Sequence, residues 1–191
     1  VSSWIKHYHP DVFCCGLLNS QPMGFYAPAQ IVGDARKNGV DVREIDVSRS
    51  FGQNTLEEKS GTRGHCAVRL GFRQIDGFEI YDPDEERLDE SKPPELRVRK
   101  KLREDYWDQR IVAARKRKPF ASLEDFARDT GLPKRALILL ADADAFRSLG
   151  LDRREALWTV RRLPDDVPLP LFESAAAREQ PDEVAQPLPL M

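Results

Sequence analysis

"TGLPKRALILLADADAF", residues 130–146, decides how this sequence folds, because it carries the stop of one helix and the start of another within four residues. Just upstream, "SLEDFARD" (122–129) sets Leu123, Phe126 and Ala127 on one helical face, and Ser122, three residues before Asp125, makes an N-terminal cap. That short helix is expected to end at Asp129 or Thr130, where Gly131 takes the left-handed conformation that stops it. Pro133, with its fixed φ, is read as the first position of the next helix. Leu132 is left between them as an apolar plug. Leu137, Leu140 and Ala143 or Asp144 then step along the second helix towards Phe146, with Ile138 and Leu139 widening the stripe.

The first turn of that second helix has backbone N–H groups with no intrahelical acceptor and carries the positive end of the helix dipole. Lys134 and Arg135 add full charges there. Such a turn accepts an anion, and a nucleic-acid phosphate could sit on Gly131, the Leu132 amide, Lys134 and Arg135 without any base being read. Glycine-then-proline punctuation also joins helix pairs that bind nothing, so the turn alone leaves both uses open.

A partner hairpin is legible earlier. "GFRQIDGF" (71–78), with its turn glycine Gly77, and "DQRIVAARKR" (108–117) together read as helix, glycine turn and helix, provided the charged stretch between them is looped out. That stretch is segregated by sign. Residues 79–95 carry eight acidic side chains against Arg87 and Lys92, with Pro83, Pro93 and Pro94 opposing regular structure, and are expected to form an acidic loop. Residues 97–118 carry ten Lys or Arg against three acidic residues, which makes Arg110, Arg115, Lys116 and Arg117 candidate phosphate contacts, though a basic helix is more often a solvated face. The functional alternative is an acidic flap lying over a phosphate-binding surface.

Towards the N-terminus the same punctuation recurs. Pro10 opens a helix with Val12, Phe13, Leu17 and Leu18 on its apolar face, and Pro28 opens another that runs through Ile31, Val32 and Ala35 to Gly39. A strand or hairpin is expected within residues 40–72, where "VDVREIDV" and "HCAVRLGF" are rich in β-branched residues. Beyond Leu163 the Pro-rich, acidic segment "PDDVPLPLFESAAAREQPDEVAQPLPLM" reads as a linker. The fold class is therefore mainly α with a small β element.

Bulk composition restricts the partners. Of the 191 residues 32% are charged, yet the net charge is only -2, so affinity for nucleic acid must come from local clustering of basic groups. Three cysteines, Cys14, Cys15 and Cys66, offer neither a CxxC pair nor an even disulfide framework, which fits a reducing cytoplasm. No signal peptide and no apolar run of about 18 residues is visible, so no membrane role is expected. The sequence opens on Val1 rather than Met and is expected to be a piece of a longer protein.

No catalytic residue is nominated. His7, His9, Cys14 and Cys15 could each ligate a metal, but adjacent cysteines diverge by about 100° on a helix, and packing explains them better. Asp142 and Asp144 would face different directions, and neither a P-loop nor a GxGxxG is present. "PLPLF" (168–172), through Leu169, Leu171 and Phe172, could anchor in a partner's pocket. An incidental Pro-rich linker is the simpler account.

Taken together, "WIKHYHPDVFCCGLLNSQPMGFYAPAQIVGDARKNGVDVREIDV", "AVRLGFRQIDG", "RIVAARKRKPFASLEDFAR" and "LPKRALILLADADAFRSLGLDRREALW" resemble the error-prone DNA polymerase branch of the bacterial DNA polymerase III alpha-subunit family. The resemblance implies that residues 1–70 are the end of the fingers domain and that 71–150 are a tandem helix-hairpin-helix module, with the charged insertion at about 79–101. Residues 151–191 would be a terminal helix and a Pro-rich linker. It also implies a parent DNA-directed DNA polymerase that uses Mg, adds nucleotides past lesions during damage-induced mutagenesis, and has Y-family-like and recombinase-like partner proteins. The palm aspartates lie outside these residues, so the chain alone should hold duplex or primer-template DNA without catalysis or a cofactor of its own.

Two departures from the family pattern stand out. The insertion separates Gly77-Phe78 from the helix that normally follows it directly. Pro168 stands where replicative members begin a clamp-binding peptide with Gln, which argues against direct sliding-clamp binding. The alternative function is a protein-interaction module that recruits the clamp or mutagenesis accessory proteins.

Overall fold

The computed structural model describes residues 2–22, 26–59, 64–82 and 102–164. Three helices come first: α1 (Ser2–Tyr8), α2 (Pro10–Asn19) and α3 (Pro28–Lys37). Proline stands at the first helical position of both α2 and α3, where a missing N–H costs nothing. Gly39, at φ 82°, ends α3 and lets the Val40 amide donate back to the Ala35 carbonyl at 3.1 Å. Cys14, Cys15 and Leu18 of α2 pack on Ile31 and Ala35 of α3, and Val40, Val42 and Val68 complete this first core. Burial pushes the Cys14 thiol up to about 12, and that of Cys15 up as well, so both are packing groups.

The expected β element is a mixed three-stranded sheet in the order β1-β3-β2. β2 (Thr55–Lys59) and β3 (Cys66–Arg69) form the antiparallel pair, and β1 (Val42–Arg43) adds in parallel on the other edge of β3. Glu57 on β2 accepts from Arg69 Nε at 2.8 Å and Nη2 at 3.1 Å, and from Arg43 of β1, so one carboxylate ties all three strands. The hydrogen bonds from Arg69, with Arg43 adding to them, hold the Glu57 carboxyl down at about 2. Its folded value lies below the unfolded one, so the stabilisation is present above about pH 4.5 and is lost as pH falls towards 2. Glu57→Gln is expected to cost about 1–3 kcal/mol at pH 7 and to flatten the acid limb of a urea-stability profile; an unchanged acid slope would contradict this.

The second core belongs to the C-terminal helices, α4 (Trp107–Arg117), α5 (Leu123–Thr130), α6 (Lys134–Asp142) and α7 (Arg153–Arg162). Phe126 is fully buried and meets Phe120 and Phe146 edge-on at 4.9 and 5.3 Å between ring centroids. Phe72, Ile75 and Phe78 join the same core beside Trp107 and Ile111. α7 starts on a capping box in which Asp152 and Glu155 satisfy each other's amides at 2.8 and 3.1 Å.

Loop 44–54 fastens the two cores together. The Val47 amide donates to the Ala145 carbonyl at 3.0 Å, and the Phe72 and Arg73 amides donate to Phe51 and Gly52 at 2.8 and 3.0 Å. Asn54 is buried: its Oδ1 accepts from the Gly71 amide at 2.9 Å, while Asn19 Oδ1 accepts from its backbone and side-chain N–H groups at 2.8 and 2.7 Å. Arg73 then caps the end of α2, donating to Asn19 O at 2.7 Å and Gln21 O at 2.9 Å.

Three local expectations need correction. Pro133 is the N-cap of α6 with ψ 151°, so Lys134 is the first helical residue. α6 stops at Asp142; Asp144 sits at φ 57° in a turn, and Phe146 reaches the core from outside the helix. The leading helix of the earlier hairpin is a single 3-10 turn, Phe72–Gln74. Residues 83–101 of the charged insertion, and with them all of the acidic flap beyond Asp82, lie outside the described residues, as does the tail with Leu169, Leu171 and Phe172. Among the described residues no helix is long and apolar enough to cross a membrane.

Candidate nucleic-acid interface

Local sequence builds the turn at Gly131 as expected. The Ser122 hydroxyl accepts from the Asp125 amide at 3.1 Å, and Gly131 ends α5 at φ 55° with its amide bonded to Ala127 O at 2.9 Å. Leu132, 1% exposed, plugs the core between the two helices. The first helical bonds of α6 come from Ala136 and Leu137, which both donate to the Pro133 carbonyl, at 2.8 and 3.3 Å. The Leu132 and Arg135 amides therefore stand outside the helical ladder at the positive end of α6.

Each turn glycine has an arginine of the other hairpin beside it. Arg110, in the first half of α4, donates to the Gly131 carbonyl of the other hairpin, and a Cβ built at Gly131 would stand 2.6 Å from Arg110 Nη2. Arg135, in the first turn of α6, lies beside Gly77, where a Cβ would stand 3.6 Å from Arg135 Nη2. Gly77 itself has φ 71°, so glycine fits both the backbone and the approach. Each hairpin thus sends a guanidinium to the other's turn, and Gly77, Arg110, Gly131 and Arg135 form one patch. The backbone of Leu132 adjoins it.

The remaining candidates divide. Arg117 donates to Asp129 O at 2.9 Å, fixing α4 to the end of α5, while Lys116 is exposed next to it. Arg115 turns inward: it donates to Ser50 O at 3.0 Å, stacks over the Phe51 ring at 4.7 Å, and burial pulls its guanidinium down from the usual arginine value. It is a clasp on loop 44–54, not part of the patch. The ammonium of Lys134 is also engaged, donating to Leu163 O at 3.0 Å and Arg161 O at 3.4 Å, where it closes the carbonyl end of α7. Burial also raises the Asp108 carboxyl at the start of α4, although the Tyr81 amide and the Gln109 side chain donate to it at 2.9 and 2.8 Å. Sequence spacing missed the outward face of α7, where Arg154, Trp158 and Arg161 recur at i, i+4 and i+7.

Residues 100–156, which contain α4, α5, α6 and the start of α7, match the helix-hairpin-helix motif model. The whole chain aligns with error-prone DNA polymerases of Bradyrhizobium diazoefficiens (68% identity, 19% of that protein's length) and Rhodopseudomonas palustris strain CGA009 (70%, 15% of its length). The error-prone DNA polymerase of Brucella abortus biovar 1 is 48% identical over the whole chain, again 15% of its own length. The chain spans a fifth or less of the length of these curated relatives. Along all of its length, then, this chain is similar to a segment of error-prone DNA polymerases, and its residues 100–156 carry a helix-hairpin-helix motif.

Proposed function

We propose that this chain is the duplex-DNA-holding part of an error-prone DNA polymerase and that it contacts phosphates without reading bases. The crosswise placement of Arg110 beside Gly131 and of Arg135 beside Gly77 supports this most strongly, because it gathers both hairpin turns and two guanidiniums into one patch. A phosphate at the start of α6 would meet the Leu132 and Arg135 amides, the helix dipole and the Arg135 guanidinium. Arg110 keeps donors to spare after bonding the Gly131 carbonyl, since a guanidinium has five. Lys134 adds positive potential at the same helix end while its ammonium closes α7. Lys116 and Arg117 flank the patch on α4 and extend it along the backbone of a bound duplex.

The relatives' name, error-prone DNA polymerase, supports a parent that adds nucleotides on a DNA template; that it does so past lesions, with Mg held by a palm domain elsewhere in the parent, is the part of the proposal that rests on the family resemblance alone. Y-family-like and recombinase-like proteins would assist it in the cytoplasm. Arg135→Glu is expected to weaken the chain's binding to a blunt duplex, read by fluorescence anisotropy, by about tenfold or more, while Lys37→Glu on α3 leaves it unchanged. Equal effects of the two substitutions would remove the patch from the reading.

A further inference from the structure

α7 packs antiparallel against α6. Lys134 at the start of α6 donates to the carbonyls of Arg161 and Leu163, while Asp142 at its end pairs with Arg153 at 2.9 Å. The end of α7 therefore lies beside the Gly131 turn. Ala156 and Val160 are its buried stripe. At about 100° per residue, Trp158 falls opposite that stripe, with Arg154 and Arg161 about 40° and 60° to one side of it and both well clear of the buried face. Trp158 is 54% exposed, an unusual place for an indole. It lines a shallow groove of about 290 Å³ with Arg153, Arg154, Leu157 and Arg161. Arg153 is paired with Asp142, but among the described residues the Arg154 and Arg161 side chains have no acidic partner.

We propose that this face of α7 binds single-stranded nucleic acid, with an unpaired base stacked on Trp158 and its flanking phosphates on Arg154 and Arg161. The choice of nucleic acid as the partner rests on the DNA-holding reading above; the choice of single strand rests on the groove itself. A duplex hides its base faces inside the stack and offers this helix only phosphates, for which an exposed indole is useless. An unpaired base presents a π-face of matching size, and guanidiniums before and after the ring along the helix supply the charge that the strand needs. Because α7 ends at the hairpin turn, a strand leaving the duplex grip could pass directly onto it.

The test uses the 191-residue chain and anisotropy with four labelled ligands: a blunt duplex, the same duplex with a single-stranded extension of about five nucleotides, the same extension made abasic, and the free strand. The extension is expected to tighten binding by about fivefold or more, and the gain should vanish with the abasic extension and with Trp158→Ala. Trp158→Phe should keep most of it, and blunt-duplex affinity should not change in either variant. Trp158 is exposed, so both variants should melt as the parent does, which circular dichroism checks. An extension gain that survives Trp158→Ala, a variant that weakens the blunt duplex equally, or absence of any preference for the extended ligand would each overturn the proposal. If the blunt duplex fails to bind while the free strand binds in a Trp158-dependent way, the duplex grip falls and the α7 site stands.

Discussion

Phe126→Ala is expected to lower the unfolding free energy by about 3–5 kcal/mol, at the top of the range for truncating a core side chain. The ring is completely buried and meets Phe120 and Phe146 edge-on, so its removal forfeits the transfer energy, two aromatic contacts and the filling of the space between α5 and the 143–146 turn. Natural domains hold only about 5–15 kcal/mol, so the variant should sit close to its unfolding midpoint at moderate urea. Equilibrium urea unfolding followed by circular dichroism measures it. A loss below about 1 kcal/mol would mean that the second core does not converge on this ring.

Gly71→Ala should cost about 3 kcal/mol for a different reason. The backbone there has φ -90°, open to any residue, so conformation is not the obstacle. Space is: a Cβ would stand 2.4 Å from the Gln53 carbonyl carbon and oxygen and 2.7 Å from Gly52 O. Those atoms cannot swing aside, because Phe72 and Arg73 bond to Phe51 and Gly52 and the Gly71 amide bonds to Asn54. Gly33→Ala is the matching control. Gly33 lies inside α3 with nothing within 4 Å of its added Cβ, so the same methyl should be neutral or stabilising by up to about 1 kcal/mol. Thermal melts of the pair measure the difference, and equal shifts would contradict the close approach of loop 44–54 to Gly71.

Much of the architecture was legible because it is punctuated locally. Pro10, Pro28, Gly39, Ser122 and Gly131 act on the chain within a turn of themselves, and the helices begin and end where those residues dictate. The parallel pairing of β1 with β3 was not legible, since two-residue β1 takes its place from a strand more than twenty residues on. The site divides the same way. Gly131 and Leu132 took their expected places, because backbone conformation and burial follow from neighbours. The long basic side chains did not announce their targets: Arg115 reaches a carbonyl 65 residues away, and Lys134 one 29 residues away. A cluster of like charges in sequence gives a field, and only the fold shows which members are spent on structure. For α7 the spacing of Arg154, Trp158 and Arg161 was present in "RREALWTVRR", but its meaning depended on knowing which side Ala156 and Val160 bury.

The most direct test of the phosphate grip is the salt dependence of duplex binding by the 191-residue chain, measured by anisotropy for the parent and for Arg135→Gln. The log of the binding constant should fall linearly with the log of salt concentration, by about 0.9 for each neutralised phosphate, and Arg135→Gln should reduce that slope by about 1 for every sequence tried. No binding at low salt, or a slope that Arg135→Gln leaves unchanged, would contradict the assignment of the hairpin turns as the place where this chain holds DNA.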